Sequence, residues 1–168
     1  MNRATLPATP LASCAVDVFN VFGEDWQEEE IERPGGSFRE AWTGERLNAE
    51  LLGGSLYELR PHAKGWPYHF HHGNEELLIV VAGTPTLRAH DGERVLQPGD
   101  CVLFARGPDG GHTFWNDSDE PARVLMMSTL ITPELVSYPD SGKLGASSPF
   151  GGGRFLESSN VEYWEGEE

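Results

Sequence analysis

The sequence predicts an all-β protein, a sandwich or barrel of short strands. Three observations predict it. Twenty glycines and 12 prolines break the 168 residues into short pieces. Between the breakers lie β-prone segments of four to nine residues, at the spacing seen in sandwiches and barrels. No helical stretch stands among them.

The elements follow in order. Residues 1–14 are rich in Ala, Thr and Pro and read as a loosely held start. Residues 15–32 join an apolar beginning (Val16, Val18, Phe19, Val21, Phe22) to an acid cluster, and are expected to form an arm that covers part of the domain. Strands are then expected at 38–42, 55–60 (before Pro61), 68–71 (before His72-Gly73-Asn74) and 76–82 (before Gly83-Thr84-Pro85). The segment 86–90 turns at Asp91-Gly92, a strong hairpin signal, into 93–97, which ends at Pro98-Gly99-Asp100. Segment 101–105 enters a loop at 106–111, 112–116 turns at Asp117-Ser118-Asp119, and 122–130 ends before Pro133. Residues 141–153 read as a Gly- and Ser-rich loop, and 154–164 as a last strand that docks back. The expected division is an arm at 1–36, a barrel domain at 37–132, and a C-terminal arm with an acidic tail at 133–168. Leu77 to Ala82 is apolar on both faces, so one face lines the interior and the other meets a second layer, a terminal arm or a partner subunit.

The formal net charge is −15, from 27 acids and 12 Lys and Arg. Such a balance argues against nucleic acid and against docking on anionic lipid. Six acids lie in residues 24–32 and five in 157–168, so both flanks read as solvated surface. Cys14 and Cys101 are too few for a disulfide framework, and Cys101 is expected to pack as a small apolar residue. No signal-peptide pattern or bilayer-length apolar run is evident, and the expectation is a cytoplasmic protein.

The histidines carry the chemistry. His69 and His71 are two apart on an expected strand, so both point to one face. Glu76 starts the next strand, across a tight turn. Glu75 is the alternative carboxylate, but Glu76 shares a face with Leu78 and Val80. Imidazoles with a carboxylate suit a divalent first-row metal. His112 opens a later strand. His72 points the other way and reads as a neighbour of the site or as surface; His62 and His90 read as exposed.

These residues resemble the cupin superfamily over roughly residues 50–130. The first motif of that family is matched by His69-Phe70-His71, four residues, Glu76, six residues and Gly83, with Ala63 where a glycine is usual and Gly65 nearby. The second is matched by Gly99-Asp100, Gly107, His112 and Asn116, with Ala105 in the usual proline position and His112 two residues late. The resemblance implies a double-stranded β-helix, a jelly-roll-like barrel with one divalent metal (Fe, Mn, Zn or Ni) held by His69, His71, Glu76 and His112. It also implies a homodimer that exchanges terminal strands, with 15–32 or 154–164 as candidates.

Aromatics flank the ligand segments. Trp66, Tyr68 and Phe114 are candidates for a pocket, and Asn116 shares a face with His112 and Phe114. Trp115 is expected to face outward. Arg106, in the loop before His112, is placed to meet a substrate carboxylate or phosphate, or else stands in solvent. No nucleophile triad, phosphate loop or dinucleotide fingerprint occurs. Function therefore rests on the metal and a small-molecule substrate. The resemblance points to a dioxygenase-like enzyme, or to a sugar-phosphate isomerase or epimerase; a non-catalytic ligand-binding module is the alternative.

Overall fold

In the computed structural model, which describes residues 16–34 and 36–167, alternation along each strand decides what faces the interior. The elements are β1 (Glu28–Arg33), β2 (Gly36–Ala41), a one-turn helix α1 (Thr43–Arg46), β3 (Leu52–Leu59), β4 (Phe70–His71), β5 (Glu76–Ala82), β6 (Thr86–Ala89), β7 (Gly92–Val95), β8 (Cys101–Phe104), β9 (His112–Trp115), β10 (Ala122–Thr129), β11 (Glu134–Tyr138), β12 (Lys143–Ser148) and β13 (Gly151–Leu156). One sheet runs β1-β2-β3-β10-β5-β8. The second layer contains β13-β12-β11-β4 and β7-β6-β9, joined by an antiparallel bridge between His69 and His112. This is an all-β double-stranded β-helix, and the bridge that joins its second layer runs between two of the candidate ligands.

Tyr57 and Leu59 on β3, Leu78 and Val80 on β5, and Val124 and Met126 on β10 point between the layers, where they meet Leu87, Phe104 and Phe114. Burying a side chain of this size stabilises the fold by about 1.5–3 kcal/mol. Gly83 ends β5 with φ +74, and a Cβ there would lie 2.5 Å from the Pro121 carbonyl oxygen, so no other residue fits this turn.

The outer face of the six-stranded sheet is also covered. Leu56, Val81 and Leu125 point away from the barrel interior and meet Phe19, Val21 and Trp26 of the N-terminal segment. That contact covers Val81, one of the outward apolar residues of β5.

Four expectations are corrected. The acid run is not solely solvated surface. Glu24 pairs with Arg39 at 3.1 Å and Arg123 at 2.8 Å, and Asp25 pairs with Arg46. The Trp26 ring lies 4.8 Å from each of the Arg39 and Arg123 guanidinium carbons. Glu58, nearly buried, accepts from both arginines. Residues 141–153 are not a loop but most of the β12–β13 hairpin, which backbone bonds hold to β11. Glycine and serine gave that segment no hydrophobic period to read. Cys101 is exposed, because alternation on edge strand β8 sends Val102 and Phe104 inward and Cys101 and Leu103 out; Cys14 lies outside the described residues. The segment before β3 holds the short helix α1, where no helix is expected. Among the described residues no helix is long and apolar enough to cross a membrane.

Candidate metal centre

Three elements bring the candidate ligands together. β4 and its approach carry His69 and His71, the first residue of β5 is Glu76, and the first of β9 is His112. The His69–His112 bridge ties the approach to β4 onto the start of β9 with backbone bonds of 3.0 and 2.9 Å.

The Nε2 atoms of all three histidines converge on one oxygen. Glu76 Oε2 lies 3.1 Å from His112, 3.3 Å from His71 and 3.8 Å from His69. Donor atoms of His69, His71 and Glu76 all lie within 4.8 Å of one another. His112 reaches this group through Glu76. Glu75 is exposed, and its backbone N–H donates to Thr129 Oγ1.

The histidine tautomers are set from behind. His69 Nδ1 meets the Pro67 carbonyl at 2.9 Å, and His112 Nδ1 meets the Gly110 carbonyl at 2.9 Å. A carbonyl only accepts, so each Nδ1 carries a proton and each ring turns its Nε2 toward Glu76. Phe104 stacks flat on His112 at 3.6 Å and holds the ring plane. The extra loop before His112 has a structural role. It folds as a 3-10 turn at Pro108–Gly110 and supplies the Gly110 carbonyl. Gly110 itself has no room for a side chain, since a Cβ would come within 1.7 Å of the Ala105 oxygen.

Lone pairs facing a carboxylate oxygen repel unless a cation sits among them. Glu76 Oε2 and His112 Nε2 are buried and lack a hydrogen-bond partner. Metal bonds of about 2.1 Å place neighbouring donors about 3.0–3.4 Å apart, which matches two of the three distances. The donor set fits a divalent first-row ion. Burial, then the nearby His112, lowers His69 to about 4, which keeps it neutral at neutral pH. Burial opposes the charge on Glu76, but His112 and His71 outweigh it and hold the carboxyl below its usual range. Burial pulls His71 down; Glu76 and Glu134 more than offset that, and its pKa is raised.

Glu134 escaped sequence reasoning. It lies on β11, buried, with Oε1 3.4 Å from His71 Nδ1. The same oxygen accepts from the backbone N–H of His72 at 3.1 Å and Gly73 at 3.3 Å, and Oε2 accepts from the Asn74 amide. The one signal in the sequence was an acid opening a segment that is otherwise apolar at alternate positions.

A cavity of about 70 Å³ adjoins the donors, lined by His69, Glu76, His112, Tyr57, Trp66 and Phe114 with Thr113 and Met126. Trp66 and Phe114 are thus among its lining residues. Three expected pocket residues are not. Tyr68 turns to the outer face, where the Arg88 guanidinium lies 4.2 Å over its ring. Arg106 is exposed in its loop and lines none of the described cavities. Asn116 is fully buried, but beyond the end of β9, where its amide donates to the carbonyls of Arg60 at 3.1 Å and Glu120 at 2.8 Å. His72 is exposed and meets Ser137 Oγ at 2.9 Å; His62 and His90 are exposed.

Residues 55–128 match the family described as "Cupin domain". Residues 55–128 form a cupin domain. Solved structures agree with this cupin assignment. A sugar phosphate isomerase of the cupin superfamily from Silicibacter pomeroyi superposes with TM-score 0.71 at 26% identity, covering 82% of this chain and 92% of that one. A provisionally named sugar phosphate isomerase from Acidithiobacillus ferrooxidans gives 0.73 at 22%, covering 81% and 88%. The polyketide cyclase RemF from Streptomyces resistomycificus gives 0.54 at 21%, covering 66% and 78%. No curated protein sequence matches the chain.

Proposed function

We propose that this cupin is a mononuclear metal enzyme that takes a small organic substrate into the cavity beside His69, Glu76 and His112. The observation that carries the reading is the convergence of three imidazole Nε2 atoms on Glu76 Oε2, two of them fixed by backbone carbonyls. His69, His71, Glu76 and His112 would hold one divalent ion, with iron, manganese, zinc and nickel all compatible with the donors. Such an ion supplies Lewis acidity and, if iron, one-electron chemistry toward O2.

The protein's own groups do the rest. Pro67 and Gly110 orient the rings. Trp66, Phe114 and Met126 form an apolar wall that excludes water from the substrate. Burial, reinforced by Glu40, raises the Tyr57 phenol, which stays protonated at neutral pH. Among the described residues lining this cavity, Glu76 is the only carboxylate, and no Lys or Arg is present. An apolar wall with no acid–base group beyond the ligands and a neutral phenol supports dioxygenase-like chemistry on a chelating substrate.

A second reading is a sugar-phosphate isomerase. The similarity to the Silicibacter pomeroyi structure, which spans most of both chains, favours it. Elemental analysis of the native protein, then oxygen uptake with small diketones, catechols or thiols, tests the first reading. Aldose–ketose interconversion of sugar phosphates tests the second. Glu76→Gln and His69→Ala are expected to lose metal and turnover together. A purified protein with no metal, unchanged in stability by chelation, would sink both.

A further inference from the structure

The β12–β13 hairpin carries two cations whose placement the metal centre alone does not explain. Directly opposed residues of antiparallel strands point to the same face. Val136 pairs with His71, Gly145 with Val136, and Arg154 with Gly145. Tyr138 pairs with Lys143, two residues from Gly145. His71, Tyr138, Lys143 and Arg154 therefore share one face of the four-stranded sheet, the face that looks onto the metal donors.

The contacts follow the register. The Tyr138 ring stacks on His69 at 5.8 Å, with 24° between the planes. Lys143 Nζ lies 5.4 Å from the centre of the same ring. Beyond Tyr138 the absence of a side chain at Gly145 leaves a hollow of about 180 Å³, lined by Val136, Tyr138, Gly145 and Arg154 among others. Arg39, Arg46, Arg88, Arg94 and Arg123 each pair with an acid. Among the described residues neither Lys143 nor Arg154 has an anionic partner, in a chain of net charge −15. Arg154 lines the hollow, Lys143 lies against the Tyr138 ring that also lines it, and neither is neutralised, so the two cations flank a place for an anion one aromatic ring away from the candidate donors.

We infer that the substrate carries an oxyanion group, a phosphate monoester or a carboxylate, which Lys143 and Arg154 hold at the Tyr138–Gly145 hollow while the reacting end meets the metal. The link to a substrate rests on the metal reading above; the anion site itself does not. It also supplies the cations that the inner cavity lacks.

Amide NMR shifts of the full-length protein test it, with inorganic phosphate and acetate as probes at constant ionic strength. The titration is run on chelator-stripped and on metal-loaded protein. Expected are saturable shifts at Tyr138, Gly145, Gly153 and Arg154 in the stripped protein, where only the cations can bind the probe. The double variant Lys143→Gln/Arg154→Gln should weaken binding at least tenfold. Lys64→Gln/Arg106→Gln, which removes two exposed cations elsewhere, should leave it unchanged. The tighter probe identifies phosphate or carboxylate as the group held. Shifts scattered over Lys64 and Arg106, or equal affinity in the double variant, would overturn the site. So would light scattering that shows a dimer in which these amides are protected and the probes shift none of them. Anion binding without metal uptake removes the metal reading alone; metal uptake without anion binding removes this one alone.

Discussion

Glu134→Gln is the most informative single change, because this carboxylate accepts three hydrogen bonds and also stands 3.4 Å from His71 Nδ1. Its oxygens face the N–H groups of His72 and Gly73, the Asn74 amide, and His71 Nδ1. Glutamine has the same shape but one acceptor oxygen. If that oxygen keeps His72 and Gly73, the new NH2 faces the Asn74 NH2, donor against donor. Leaving a buried donor unpaired costs about 1–3 kcal/mol. For a chain of this size that lowers Tm by roughly 2–12 °C. The second effect is on the metal. Glu134 is the carboxylate behind His71, and such partners fix ring orientation and raise ligand basicity. Their loss typically lowers metal affinity by about 10–100-fold, or about 1.4–2.8 kcal/mol. The assay is competition against a chelator of known affinity, beside thermal unfolding of the stripped protein. Loss of stability with metal affinity within twofold of the unmodified protein would refute the role assigned to Glu134 and leave it a structural clamp.

Other predictions concern the scaffold. Asn116→Ala should lower unfolding free energy by about 2 kcal/mol, because it strips donors from the carbonyls of Arg60 and Glu120 and an acceptor from Ser118 N–H; urea unfolding by circular dichroism measures it, and an unchanged midpoint would count against a stabilising role for these bonds. Hydrogen bonds from Arg123 and Trp26 hold Glu24 at about 2, below its ordinary 4.5. A lowered carboxyl adds stability that is present above the unfolded value and lost as pH falls through the folded one. Trp26 fluorescence should therefore report release of the N-terminal segment between about pH 4.5 and 2, shifted upward in Arg123→Gln. Exposed Cys101 should react fully with a thiol reagent in the native protein, read by peptide mass spectrometry; protection until denaturant is added would contradict its placement on the outer face of β8.

Much of the fold was legible. The strand breaks at Gly83-Thr84-Pro85 and Asp91-Gly92 are local turn chemistry, and they fall where β5 ends and where β6 turns into β7. His69 and His71 were readable as one face because alternation is a property of a single strand. Glu76 was readable because it opens the next strand and shares a face with Leu78 and Val80. Glu134 and the Glu24–Arg123 pair were missed because their partners lie far along the chain. Glu134 reaches the backbone of His72 across 62 positions, and Arg123 reaches Glu24 across 99. No local period encodes such a meeting.

The sequence by itself therefore determined most of the barrel strands, their alternation and the pairing of His69 and His71 on one face, because those depend on neighbours a few residues away. Only the tertiary structure decided that Tyr68 and Arg106 face away from the cavity while Trp66 and Phe114 line it. It alone set Lys143 and Arg154 on the same face of the four-stranded sheet as His71 and Tyr138. It alone set the Pro67 and Gly110 carbonyls behind His69 and His112. The physical reason is that a hydrogen-bonded tautomer, an orphaned lone pair and an uncompensated charge are properties of what stands opposite, and sheet closure chooses that.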